Sequence, residues 1–284
     1  MQELYKEGNT LVSLAKWQEA ISSLDITPSS LAQISTAFEQ AVLRRVPKEP
    51  FGLFLSGGVD STLIAHILKK HNHSPICFTV GTKDSQDIEF AKRVAGGLSL
   101  EHHIVTLDDQ DIKSIIQELK VIFKDHIASN PVVLFGVGAV EFAASRRAQA
   151  SGLKHIFSGL GAEDVFGGYN RHKLAQDVNK ECLLSLSTSL HENDLRRCDL
   201  VANHFHLDFL TPFLDKEVIR LGLGLPSEQK VKDGLRKLAV ADLAMDFGVP
   251  QDLAFRQKKG AQYGSAIQKS LERISKGSIN SFLR

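Results

Sequence analysis

The chain has 284 residues, 43 % of them hydrophobic, with 34 basic side chains against 33 acidic ones. That length accommodates one large α/β domain or two small ones, and the near-cancelling charge argues against a protein that coats nucleic acid or another polyanion. No apolar run of about 18 residues is present to span a membrane, no basic-then-apolar leader opens the chain, and Cys77, Cys182 and Cys198 are too scattered for a disulfide framework or a metal knuckle; a reduced, cytoplasmic protein is expected.

Residues 1–28 are expected to form an N-terminal arm. Trp17-Gln18-Glu19-Ala20-Ile21 has helical rhythm, although a strand-like arm fits as well. The main domain is placed at 29–284. Ser29 or Ser30 is positioned to cap a helix whose Leu31, Ile34, Phe38 and Val42 share one face, with Pro47 and Pro50 as its stop. Phe51–Leu55 is a fully apolar strand of the kind covered on both faces. A Gly-rich loop follows, then a helix over Thr62–Lys70, a strand at Ile76–Val80, a helix over Asp87–Gly97 and a strand at His103–Leu107. Helices are predicted at about 109–123 and 131–149, and a fourth strand at His155–Phe157, again with a Gly-rich turn behind it. Strands alternating with helices of this length imply a doubly wound, mainly parallel α/β sheet, with ligands beyond the carboxyl ends of its strands. From about residue 175 only helical patterns are read, giving a helical C-terminal region.

The first Gly-rich loop is Ser56-Gly57-Gly58-Val59-Asp60-Ser61. Gly57 and Gly58 let backbone N–H groups approach an oxyanion closely, and the helix behind them aims unpaired N–H groups and its positive end at the same point. Ser56 and Ser61 add hydroxyls. Asp60 repels a phosphate unless it meets Mg2+ or caps its own helix, and a simple tight turn with Asp60 or Ser61 as the cap is the plain alternative. The loop has neither the Gly-Lys-Ser/Thr of the P-loop nor the GxGxxG of dinucleotide folds.

This hexapeptide resembles the signature loop of the ATP pyrophosphatase superfamily. The resemblance implies that it holds the β,γ-pyrophosphate of ATP while a substrate oxygen attacks the α-phosphorus. The segment Phe157-Ser158-Gly159-Leu160-Gly161-Ala162-Glu163-Asp164-Val165-Phe166-Gly167-Gly168-Tyr169 resembles the SGEGSDE-lFGGY stretch of the asparagine synthetase domain. Pro212-Phe213-Leu214-Asp215, Arg256-Gln257-Lys258 and the lead-in helix from Thr27 to Arg45 extend the likeness across about residues 27–270.

Several roles follow from the resemblance alone. Gly159 joins Ser56–Ser61 at the pyrophosphate; Val80 and Gly81 lie against adenine; Asp87 matches an acidic family position, with helix capping as the alternative. Asp60, Glu163 and Asp164 are candidate Mg2+ ligands, carboxylates being suited to a hard cation, although an acidic pair at a helix start explains the latter two as well. Lys258 matches a lysine that stabilises charge during adenylation, with a solvated surface lysine as the alternative. Two departures stand out. Leu160 replaces a glutamate implicated in the ammonia-dependent step, as in a standalone subgroup of the family. Gln2 follows Met1 where glutamine-dependent members have a nucleophilic cysteine, so no glutaminase is expected within the chain, and free ammonia, a separate glutaminase subunit or another donor supplies nitrogen.

Aspartate is the default small carboxylate substrate on this reading, with ATP and Mg2+. A different acceptor, or an ATP-binding scaffold without chemistry, are the alternatives. His102-His103 resembles a metal pair, but adjacent strand residues point to opposite faces. Tyr169–Lys173 is polar and basic, and is open to a substrate or a solvated-loop role.

Overall fold

The computed structural model describes residues 3–8, 10–126, 130–256, 260–276 and 278–283. Lys6–Glu7 (β1) and Thr10–Leu11 (β2) pair as an antiparallel hairpin, and Leu14–Ser22 (α1) follows with Ser13 as its cap. The first residues are therefore strand-like and then helical. They pack onto the rest of the chain: Trp17 is fully buried and its Nε1 donates to the Leu186 carbonyl at 2.6 Å, and the Tyr5 hydroxyl lies 2.7 Å from Thr211 Oγ1. Leu31–Leu43 (α2) starts from a capping box, in which the Ser30 hydroxyl accepts from the Gln33 N–H and the Gln33 side chain accepts from the Ser30 N–H. It ends at Leu43, short of the expected proline stop.

The βα units then run Gly52–Phe54 (β3), Val59–Lys70 (α3), Ile76–Gly81 (β4), Gln86–Gly97 (α4), His102–Thr106 (β5), Asp109–Ile122 (α5), Pro131–Ala150 (α6) and His155–Phe157 (β6). Past β6 come Ala162–Phe166 (α7), Asn170–Leu174 (α8) and Val178–Leu184 (α9), then a wide π-helical stretch, Ser185–Leu195, that continues into Arg196–His204 (α10). Asp208–Leu210 (β7), Lys216–Gly224 (α11), the hairpin of Val231–Lys232 (β8) and Leu235–Arg236 (β9), and Leu238–Asp246 (α12) follow. Short helices at Gln251–Ala254, Ala261–Gly264, Ile267–Ile274 and Ile279–Leu283 close the described chain.

The sheet is parallel throughout, in the order β5-β4-β3-β6-β7. Leu53 sits between Cys77 on one side and Phe157 on the other. Residues alternate between the two faces: Leu53, Cys77 and Phe157 join a core with α2, α3 and α12, while Phe78, Val80 and Ile156 join another with α5 and α6. The chain reverses its direction of travel across the sheet between β3 and β6, which opens a crevice beyond their carboxyl ends. Both Gly-rich turns lie there.

The expectation of a purely helical region after about residue 175 is corrected by β7, β8 and β9. At three residues β7 is shorter than any periodicity reveals, and it exists because β6 offers it a parallel partner, Ile156 opposite Phe209. The strands of the Asp233-Gly234 hairpin are shorter still, two residues each; both turn residues have positive φ, 51° and 77°, as a two-residue turn of this kind demands. Pro212–Asp215 serves structure: Asp215 caps α11 and receives Arg44 and Arg45 at 2.8 and 2.9 Å. No helix of the described residues is long and apolar enough to cross a membrane.

Candidate functional site

Leu55, buried at the end of β3, leads into the loop at Ser56, and α3 begins at Val59 with Gly58 as its N-cap and no side-chain capping bond. Asp60 and Ser61 thus lie inside the first turn and neither caps the helix. The Ser61 hydroxyl is turned inward, 3.2 Å from Ser56 Oγ and donating to the Gly58 carbonyl at 3.2 Å, which fixes the loop on itself. Gly57 has φ +64°, and a Cβ there would lie 2.6 Å from Phe90 Cβ and 2.7 Å from the Ala91 nitrogen, so no other residue fits without moving α4. Arg256 pins the same turn. It donates to the Gly57 carbonyl at 3.0 Å and to the Asp87 carboxylate at 2.9 Å, and its guanidinium lies 3.8 Å from the Phe90 ring centroid. Ser85, not Asp87, caps α4; Asp87 is the buried anchor of Arg256.

The second turn meets the first directly: a Cβ on Gly159 would fall within 2.9 Å of Asp60 Cβ. Gly161, at φ +91°, begins α7 and presses against Leu214. From α7, Glu163 faces Asp60, and the two carboxylates share the ammonium of Lys237. Its Nζ lies 2.8 and 2.7 Å from the two Asp60 oxygens and 3.0 Å from Glu163 Oε1. Lys237 follows β9 with φ 55° and ψ 36°, a left-handed conformation uncommon for a residue with a side chain. Burial works against its charge, but Asp60 and Glu163 outweigh burial and raise its pKa above the ordinary lysine value. Asp164 turns elsewhere. It is buried, accepts from Ser185 and from the Tyr169 hydroxyl at 3.4 Å, and is pushed up to about 8 by burial and by the nearby charges of Asp194 and Glu163.

These residues line one cavity of about 840 Å³, a volume in the range of small-molecule sites. It runs from Ser56, Gly58 and Asp60, past Val80 and Leu160, to a polar wall on α6 and the π-helical stretch. There Arg197, 3 % exposed, donates to both Glu141 oxygens at 2.8 and 3.0 Å and to Asp194 at 2.7 Å. Leu160 is half-buried and packs against both cores. Gly81 lies under Ser85, outside the lining, where a Cβ would collide with that side chain. Arg171 stacks 4.2 Å over Tyr169 and pairs with Glu181 at 3.1 Å. His102 bonds Thr79 while His103 bonds Glu101 and Arg147, on separate sides of β5. Lys258 lies outside the described residues.

Among the described residues no group of three His, Cys, Asp or Glu is arranged around one point as a metal cage. Asp60 and Glu163 do converge on a single cation, the Lys237 ammonium. A pair of carboxylates beside a phosphate cradle fits Mg2+, which takes few protein ligands and completes its shell with water and phosphate.

Sequence reading missed Lys237, Arg197, Glu141 and Asp194. The Asp-Gly turn before Lys237 was a usable signal for a hairpin, and nothing in the sequence placed that hairpin against α8.

The asparagine synthase family model matches residues 33–181 and 175–280. A putative glutamine-hydrolyzing asparagine synthetase of Methanocaldococcus jannaschii is 30 % identical over 297 residues, 88 % of this chain and 53 % of its own. The glutamine-hydrolyzing asparagine synthetase of Brassica oleracea is 30 % identical over 262 residues, 84 % of this chain and 43 % of its own. The chain spans about half the length of the curated relatives it matches. Among solved structures, NMN synthetase from Francisella tularensis aligns with 14 % identity and a TM-score of 0.36 over 81 % of this chain and 96 % of its own.

Proposed function

The chain belongs to the asparagine synthase family, and on that premise we propose that it is an ATP-dependent amidoligase of the AMP-forming kind. The observation that carries this reading is the convergence of both Gly-rich turns, with Asp60 and Glu163, on one crevice at the sheet's reversal point. ATP lies with its β,γ-phosphates on Ser56–Ser61 and Gly159 and its adenine toward Val80, since Gly81 is covered by Ser85. Asp60 and Glu163 would hold Mg2+, while Asp164 is turned to Ser185 and Tyr169. Mg2+ offsets phosphate charge when bound.

A carboxylate oxygen of the acceptor attacks the α-phosphorus, the bond to the bridging oxygen breaks, and pyrophosphate leaves. Ammonia then attacks the acyl carbon, AMP departs with the electron pair, and the surplus proton passes to solvent. The protein's share is positioning and fixed charge, with Lys258 supplying an ammonium at the adenylation step. Aspartate is the proposed acceptor, a separate glutaminase subunit the proposed ammonia source, and the cytoplasm the proposed compartment.

Leu160 favours a second reading of the acceptor alone. A half-buried leucine on the cavity wall neither accepts a proton nor steers ammonium, so an acceptor other than aspartate fits the same adenylation site. ATP–pyrophosphate exchange across a panel of carboxylic acids tests both readings. Exchange with aspartate, asparagine formation on adding ammonium, and loss of both in Asp60→Ala support the first. Exchange with another acid only selects the second. ATP binding with no exchange for any acid rejects the ligase.

A further inference from the structure

We propose that Lys237 is the internal counter-cation of the metal position, which a divalent ion must displace from Asp60 and Glu163 before the site is loaded. The inference rests on the reading of those two carboxylates as cation ligands.

Three oxygens from two carboxylates surround the Lys237 ammonium at 2.7, 2.8 and 3.0 Å. An ammonium is a compact charge with three donors, and each donor here meets a carboxylate oxygen. Lys237 and Asp60 are both 16 % exposed, so water screens that pair weakly, while Glu163, at 36 %, is more open to solvent. A divalent ion of magnesium size binds carboxylate oxygen at about 2.0–2.1 Å. Taking Asp60 and Glu163 while the ammonium donates to three of their oxygens sets a divalent and a monovalent cation a few ångströms apart, a repulsion that displacement of Lys237 relieves.

The backbone shows that this placement is built rather than adventitious. Lys237 stands in the left-handed region between the end of β9 and the start of α12. It is held there by the Leu238 N–H on the Lys230 carbonyl and by the Ala241 N–H on its own carbonyl, both 3.0 Å. A residue kept in a sparsely populated conformation at a site implies that its position is used. With the backbone fixed, only the flexible side chain moves. Once displaced, the ammonium stays inside the cavity that Ser56 and Gly58 also line, where a polyphosphate offers it new acceptors. Metal entry and lysine delivery to phosphate are therefore one exchange: the ion takes the carboxylates and the lysine takes the phosphate.

The test measures Mn2+ binding to nucleotide-free protein by electron paramagnetic resonance, for wild type, Lys237→Asn and Lys237→Gln. Asparagine tolerates the left-handed conformation, so folding is retained in at least that variant and is checked by near-ultraviolet circular dichroism. Both variants are expected to bind Mn2+ at least tenfold more tightly than wild type, and adding Asp60→Asn to Lys237→Asn is expected to erase the gain. Unchanged or weaker Mn2+ binding overturns the proposal. In unsubstituted protein, the 15Nζ resonance of Lys237 should lose its protection from solvent exchange when Mg2+ is added; persistence at saturating Mg2+ also overturns it. Failure of wild type to bind ATP with any metal would instead sink the ligase reading, and leaves the apo-protein comparison intact as a measurement.

Discussion

Gly159 stands so close to Asp60 that a side chain at position 159 would begin 2.9 Å from the Asp60 Cβ. The two Gly-rich turns are thus held together by the absence of one carbon. Gly159→Ala is expected to displace Asp60 and lower ATP–pyrophosphate exchange by roughly 100-fold or more, the scale produced by an ångström of misplacement. Exchange within twofold of wild type would show that the contact relaxes harmlessly.

Arg256 couples the glycine loop to α4 through the Gly57 carbonyl and Asp87. Arg256→Ala leaves the buried Asp87 carboxylate without that guanidinium, and a loss of about 2–4 kcal/mol in urea unfolding is expected. ATP affinity by calorimetry should fall about tenfold or more as the loop loosens. Arg256→Lys should restore little of either, because one ammonium does not reproduce the fork that reaches both acceptors.

Arg197 has two carboxylate partners in the polar wall of the cavity, Glu141 and Asp194. Burial opposes its charge, and those carboxylates reverse the effect and hold its pKa well above the usual arginine value. Arg197→Met is expected to lose about 3–5 kcal/mol, since it strands two anions. Arg197→Met combined with Glu141→Gln should recover part of that loss in the same denaturation assay. A double variant as weak as the single one would mean that the guanidinium acts mainly through packing.

His172 is buried with Nδ1 accepting the Tyr169 N–H at 3.0 Å, and burial, with Arg171 and Lys230 nearby, lowers its pKa from 6.5 to about 4. Its folded pKa lies below the unfolded value. The unfolded chain therefore binds the proton first, and this contribution is complete above about pH 6.5 and lost as pH falls toward 4. Between pH 6.5 and 4 the slope is roughly 1 kcal/mol per pH unit. His172→Asn, whose Oδ1 is able to accept the same N–H, should lose less stability than wild type between pH 7 and pH 5 in urea titrations. Parallel losses would contradict a neutral buried imidazole.

How far the sequence reaches is clearest at α3 and α12. The apolar strand, the paired glycines and the helix start were readable around Ser56–Ser61 because each is a local signal within ten residues. The same holds for β6 and its turn. Lys237 was not readable, because its bond to Asp60 spans 177 positions and depends on where the β8–β9 hairpin packs against α8. Three-residue β7 was missed for a related reason: its strand character comes from the pairing with β6 and not from its own composition. Arg197 was passed over among polar helical residues, since a buried arginine and an exposed one look alike without their partners. The doubly wound α/β architecture itself was legible; the strands β7, β8 and β9 within its C-terminal part were not.

The long reach between Asp60 and Lys237 also sets an order of events at the ribosome. The glycine loop emerges early and can settle on its helix, but β6 must arrive before Glu163 stands beside it, and Lys237 comes later still. Domains fold as units during synthesis at about 5–20 residues per second, so the 177 positions between loop and lysine separate them by roughly ten seconds or more. Through that interval the nascent chain carries the loop and its aspartate without the Lys237 ammonium. The crevice stays half-built through that interval, and the lysine joins Asp60 and Glu163 from a segment translated well after both.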